Sequence, residues 1–237
     1  MTEEPATTTE PTTEPEPPSG GATRVLIIVA AMLVVLLVGA TGGMLITLNS
    51  AEETPFPGAD SVDVGFAQDM RVHHLQAVTM AGIARDKTTG DLQSLAFDIE
   101  STQLGQLSAM GGWLTVWGQP ELLPPGAEHM RWMSGATIAG HQHGGGADGV
   151  ATMPGMATSA ELNKLRAASG TELDVLFLQL MLRHHQGGYA MAEYAAKHAS
   201  VGYVRNMAQK IMESQAAESR LMEAYLTELG GQPLPMN

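Results

Sequence analysis

The order of apolar and polar positions divides this chain into a tail, one long apolar run and a set of amphipathic segments. Residues 1–23 are dominated by Thr, Glu and Pro with almost nothing to bury, a composition that predicts disorder. Residues 25–48 carry no charge over 24 positions. At ~1.5 Å per residue such a helix spans a hydrocarbon core of ~30 Å, so one transmembrane helix is expected over 24–48, with a linker at 49–59. Beyond it, apolar residues recur at spacings of 3, 4 and 7, the period of helices with one inward stripe rather than of strands. Gly- and Pro-bearing stretches near 90, at 118–158 and at 168–171 separate these segments. The pattern predicts helices near 60–87, 90–117, 171–197 and 200–229, followed by a tail at 230–237. Thr158-x-x-Glu161 has the form of a capping box opening a short extra helix.

The amphipathic part contains the same pattern twice. Asp63, Phe66, Met70, His73, His74, Met80 and Ala81 reappear as Asp174, Phe177, Met181, His184, His185, Met191 and Ala192, all at an offset of 111. A second block, Ile99, Gln103, Gln106, Met110, Trp113 and Leu114, returns as Ile211, Gln215, Glu218, Met222, Tyr225 and Leu226 at an offset of 112. Each unit reads as a helix pair, and two pairs make an all-α four-helix bundle with a pseudo-two-fold axis, covering residues 60–229. Packing of the two first helices brings the two HisHis pairs together. Ala77 and Gly188, just beyond each pair, are small enough to allow close approach.

On a helix Met70 lies beneath both His73 and His74, and Met181 beneath His184 and His185, while Met80 and Met191 continue the stripes. Imidazoles from two helices, with thioethers as soft supplements, would then converge on one ion. The bland alternative is core histidines bonded to backbone or to carboxylates such as Asp69, and methionines that merely fill core gaps. Met110 and Met222 read as core. Asp63 and Asp174, well before the His pairs, read as caps of helix starts.

The connection at 119–158 holds His129, Met130, Met133, His141, His143, Met153 and Met156 with glycines at 144–146. Composition sharpens this. The chain has no Cys, which removes thiolate zinc sites, iron–sulfur clusters, disulfides and thiol nucleophiles, and 13 of its 16 Met follow residue 50. Imidazole and thioether without thiolate suit copper, and His141-x-His143 can also grip Cu(II). A net charge of −13, with no basic patch, excludes nucleic acid as a partner; residues 51–237 keep −9 and modestly attract cations. No Glu-x-x-His, His-Glu-x-x-His, Gly-x-Ser-x-Gly or phosphate-binding Gly loop occurs.

Phe66/Met70/His73/His74/Met80 with Phe177/Met181/His184/His185/Met191, the Gln103/Met110 and Gln215/Met222 helices, and the Met-Pro-Gly-Met-Ala-Thr segment at 153–158 together resemble the family numbered 305 among domains of unknown function. The resemblance covers essentially all of 60–229. It implies a ferritin-like four-helix bundle, usually exported, with some members tied to copper binding and resistance. Gln106 stands where that family and Glu218 favour Glu.

The expectation is a single-pass membrane protein whose outward-facing bundle binds copper for storage, detoxification or delivery to a recipient copper protein or membrane complex, without turnover. The metal candidates are His73, His74, His184, His185, Met70, Met181, Met80, Met191, His141, His143, Met153 and Met156. Arg24 before the apolar run, and Glu52, Glu53, Asp60 and Asp63 after it, place the N-terminus in the cytoplasm. Three alternatives stand beside this. A signal sequence could be cleaved near Val38-Gly39-Ala40. The bundle could house a redox di-metal centre. It could also be a non-catalytic accessory bundle docking through Trp113, Trp117 or Trp132, with structural histidines.

Overall fold

The computed structural model describes residues 20–50, 56–133 and 149–237. The chain divides into two units, residues 1–55 and 56–237. The first contains α1 (Gly20–Ser50), whose large apolar side chains between positions 25 and 38 are exposed. The helix begins before the expected boundary at 24 and takes in the first residues of the expected linker. Its stretch Gly20–Leu45 is long and apolar enough to cross a membrane, a property that anchors and signal sequences share.

The second unit is the expected four-helix bundle. It comprises α2 (Val62–Arg85), α3 (Gly90–Val116), a short α4 (Ser159–Ala167), α5 (Gly170–His198) and α6 (Gly202–Glu228), with no strand among the described residues. Ser61 opens α2, its Oγ accepting from Val64 N at 3.2 Å. Thr158 and Glu161 form the predicted capping box of α4, each side chain accepting from the other's backbone N–H. α2 packs on α3, α5 on α6, and the two hairpins meet mainly through α2 against α5.

Asp63 does not cap its own helix. Its carboxylate accepts from Ser200 N at 3.0 Å and Val201 N at 2.8 Å, so α2 supplies the anion at the start of α6. The N-cap of α6 is Val201, which has no side chain able to do this. The repeat counterpart Asp174 caps nothing: it lies inside α5, four residues past Gly170, with its Oδ1 buried and unpartnered. Duplication has kept this Asp in sequence but not in role.

The core consists of two apolar clusters. One gathers Met80, Ala81, Ile99, Phe177, Met181 and Met222 among others; the second gathers Phe66, Met70, Met110, Trp132, Met191 and Ile211. A buried side chain of this size contributes about 2 kcal/mol, so these clusters offset the cost of the polar residues enclosed with them. Each of the four long helices serves both clusters, and between its two apolar stretches lie buried polar residues: His73 and His74 on α2, Gln103 on α3, His184 and His185 on α5, Gln215 on α6. A polar layer therefore lies between the clusters at the centre of the bundle.

Residues 230–237 fold back rather than trailing free. Gln179 Nε2 donates to Gln232 O at 2.7 Å, Leu234 packs on the first cluster, and Asn237 bridges Gly155 N and Met156 O at 3.1 and 2.9 Å. Nothing in the local sequence marks these partners, which lie more than 50 residues away.

Candidate metal centre

The polar layer brings together the four histidines that the repeat singles out. His73 and His184, from α2 and α5, have ring centroids 3.7 Å apart with planes tilted by 35°. Gly188 permits this approach. A Cβ there would lie 3.0 Å from His73 Cε1.

Each of the four imidazoles spends one nitrogen and keeps the other. His184 Nε2 donates to the His73 carbonyl at 3.0 Å, and His73 Nε2 points to the Pro154 carbonyl at 3.4 Å. On the outer pair, His74 Nε2 meets Gln106 Oε1 and His185 Nε2 meets Glu218 Oε2, both at 2.6 Å. Carbonyl and carboxylate oxygens only accept, so Nε2 carries the proton in each ring. All four Nδ1 atoms are buried without a partner. This is how metal-binding histidines are held: one nitrogen anchored by an acceptor, the other lone pair free. Gln106 makes the same bond to His74 as its repeat counterpart Glu218 makes to His185.

Electrostatics keep the lone pairs available. Burial pushes the His73 pKa down to about 3, with the neighbouring His74 and His185 adding to the shift. His74 is pushed down to about 4, again mainly by burial. His184 lies well below the ordinary histidine value, through burial and then the other three histidines. These rings are neutral at pH 7, the form that binds a metal ion. Neutral imidazole is a donor type that metals take, but among the described residues no three His, Asp or Glu side chains are arranged around one position for an ion.

The methionines are distributed differently from the expectation that Met70 and Met181 lie together beneath one ion. Met70 and Met191 sit in one apolar cluster, and Met80 and Met181 in the other, all four fully buried. Antiparallel packing of α2 on α5 is the reason, since it sets the start of each repeat helix against the end of its twin. Met153 is buried in the second cluster and Met156 is partly buried against it. His141 and His143 lie outside the described residues.

Asp69 does not reach the repeat histidines. It anchors the connecting segment instead: His129 Nδ1, Met130 N and Trp132 Nε1 all lie 2.7 Å from its two oxygens. The bond to Asp69 raises the pKa of His129. Met130, the one non-glycine with positive φ (63°) among the described residues, is held in that strained backbone state by this carboxylate. Trp117 and Trp132 are buried, and Trp117 Nε1 bonds Tyr203 OH at 3.0 Å, which leaves neither as a free docking anchor. Asp69→Asn, which replaces one acceptor oxygen by a donor facing an N–H, is expected to cost about 2 kcal/mol. Urea denaturation followed by Trp fluorescence measures it; an unchanged midpoint would show that Asp69 does not organise the segment.

The site and fold define an all-helical bundle built from two related hairpins around a buried histidine layer. Its sequence matches the profile of the family described as domain of unknown function (DUF305) over residues 63–226, and the chain belongs to that family. Among solved structures it is similar to a DUF305 protein of Streptomyces coelicolor described as secreted, with 40% identity and a TM-score of 0.65 over 75% of this chain and 99% of that one. It is also similar to a DUF305 fragment from Deinococcus radiodurans, at 32% identity and a TM-score of 0.55, covering 70% and 96%. The fold is shared with CopM in its Cu(I)-bound form, at 22% identity and a TM-score of 0.52, covering 71% and 98%. No curated protein matches significantly.

Proposed function

We propose that this chain is a membrane-anchored, extracytoplasmic copper-binding protein that stores, detoxifies or delivers the ion and performs no turnover. The observation that carries this is the set of four buried histidines whose Nδ1 atoms are all unpartnered. CopM, whose fold it shares, is described in both Cu(I)- and Cu(II)-bound forms, which supports copper as the cargo. The apolar α1 supports attachment to a membrane, and Arg24 near its start supports an outward bundle. His73, His74, His184 and His185 hold the ion, Met153 and Met156 belong to the segment that covers the layer, and Met70, Met80, Met181 and Met191 line the clusters on either side. A recipient copper protein or membrane complex takes up the ion.

The test is metal retention by the full chain in detergent. After equilibration with equimolar Cu(I), Cu(II) and Zn(II) and desalting, elemental analysis should find stoichiometric copper, lost when His73, His74, His184 and His185 are all replaced by Asn. The pair H73N/H184N, with circular dichroism as a folding control, should lose most of it. A wild-type protein that emerges metal-free and equally stable would make the histidines structural and the bundle an accessory module.

A further inference from the structure

Two side chains in the polar layer are left over once the histidines are accounted for. Gln103 and Gln215 occupy equivalent positions of α3 and α6, are 2% and 3% exposed, and have neither Nε2 nor Oε1 hydrogen-bonded. Buried amides are nearly always paired, so four orphaned atoms in one layer indicate that something outside the chain satisfies them.

The geometry singles out the Gln215 side. Gln215 Oε1 and His73 Nδ1 both face the place where Gly188 lacks a side chain, 3.2 and 3.4 Å from an added Cβ. Both atoms present lone pairs: the carbonyl oxygen by nature, and Nδ1 because the ring proton sits on Nε2 toward Pro154 O. Two acceptors aimed at one point repel each other unless a cation or a water stands between them. The counterpart of Gly188 in the first repeat is Ala77, whose methyl is fully buried. The two halves of the layer thus differ at this point by one methyl group.

We propose that Gln215 Oε1 and His73 Nδ1 are paired ligands for one Cu(II) ion beside Gly188, and that the Gln103 half does not bind. This rests on the copper-binding reading above and adds to it both an oxygen ligand and an oxidation state. Mixed nitrogen and oxygen donors suit Cu(II), whereas thioether-rich sites favour Cu(I).

The full chain in detergent is titrated with Cu(II) and examined by electron paramagnetic resonance as wild type, Gln215→Leu, Gln215→Glu, Gly188→Ala and Gln103→Leu, with circular dichroism confirming the fold of each. Gln215→Leu removes the oxygen, and Gly188→Ala keeps both ligand residues but presses a methyl group against them. Both are expected to weaken Cu(II) binding about tenfold or more and to change the spectrum, as loss of a ligand does. Gln215→Glu, an acceptor under any amide orientation, retains binding, and Gln103→Leu stays within about twofold of wild type. Wild-type affinity and spectrum in Gln215→Leu would overturn the proposal while leaving copper binding intact. So would a copper-loaded crystal structure with water beside Gly188, or retention of Cu(I) alone. A wild-type chain that takes up no copper would overturn both readings together.

Discussion

Lowering the pH from 7 to 5 is expected to destabilise the metal-free bundle by about 4 kcal/mol through His73 and His74 alone. Unfolded histidine takes up a proton near pH 6.5, whereas these two rings stay neutral in the fold down to about pH 3 and 4. Above pH 6.5 neither state is protonated and the groups contribute nothing. Between pH 6.5 and the folded values the unfolded chain binds more protons, so each pH unit costs about a tenfold change in the folding equilibrium per ring. The loss therefore grows as pH falls and stops growing below about pH 3. His184, also depressed, adds in the same direction. His129 acts oppositely: its raised pKa gives stability that is present below pH 6.5 and lost as pH rises through the folded value, but the ring is partly exposed and the gain is smaller. Urea denaturation of the copper-free chain at pH 5, 6 and 7 measures the slope, and His74→Gln should remove one ring's share. Stability that is flat over this range would mean that these rings are not buried and neutral.

Replacing Gly187 by alanine is expected to cost about 3 kcal/mol or more, a large effect for one methyl group. A Cβ on Gly187 would lie on the Pro154 carbonyl group, 2.5 Å from its carbon and 2.8 Å from Gly155 N. Gly155 faces back across the same contact with φ at +79°, a left-handed conformation that side chains strain. Backbone thus lies directly on backbone, and no side chain can turn aside. The displaced segment carries the Pro154 carbonyl that orients His73, and the paired bonds of Gln76 to Ala157 N and O at 2.6 and 2.9 Å. Gly188→Ala, one position on, meets side-chain atoms at 3.0–3.4 Å that can shift by a few tenths of an ångström. The two variants compared by thermal denaturation separate backbone overlap from side-chain crowding. Equal, small losses would mean that 154–155 does not rest on α5.

Much of the bundle was legible because helical period is a local property. The spacings around Phe66, Met70, Ile99 and Met110 locate α2 and α3, and their recurrence at offsets of 111 and 112 locates α5 and α6. The histidine layer was legible for a related reason: identical hairpins pack about a pseudo-two-fold axis, and that axis passes where the repeats carry His. The oxygen partners were less so. Gln103 and Gln215 recur in the pattern, yet a recurring Gln on a helix gives no sign that it is buried without a partner.

The chain's order of apolar and polar residues thus determines the helices, their pairing into hairpins and the family, since each depends on contacts between near neighbours or on the repetition of one unit. Which nitrogen of each histidine is free, the separation of Met70 from Met181, the use of Asp63 to cap α6 and of Asp69 to hold the connecting segment were decided by the tertiary structure. Each joins residues 32 to 138 positions apart or depends on the antiparallel sense in which α2 meets α5. Periodicity within one helix holds no record of that sense, because the same stripe serves a partner running in either direction.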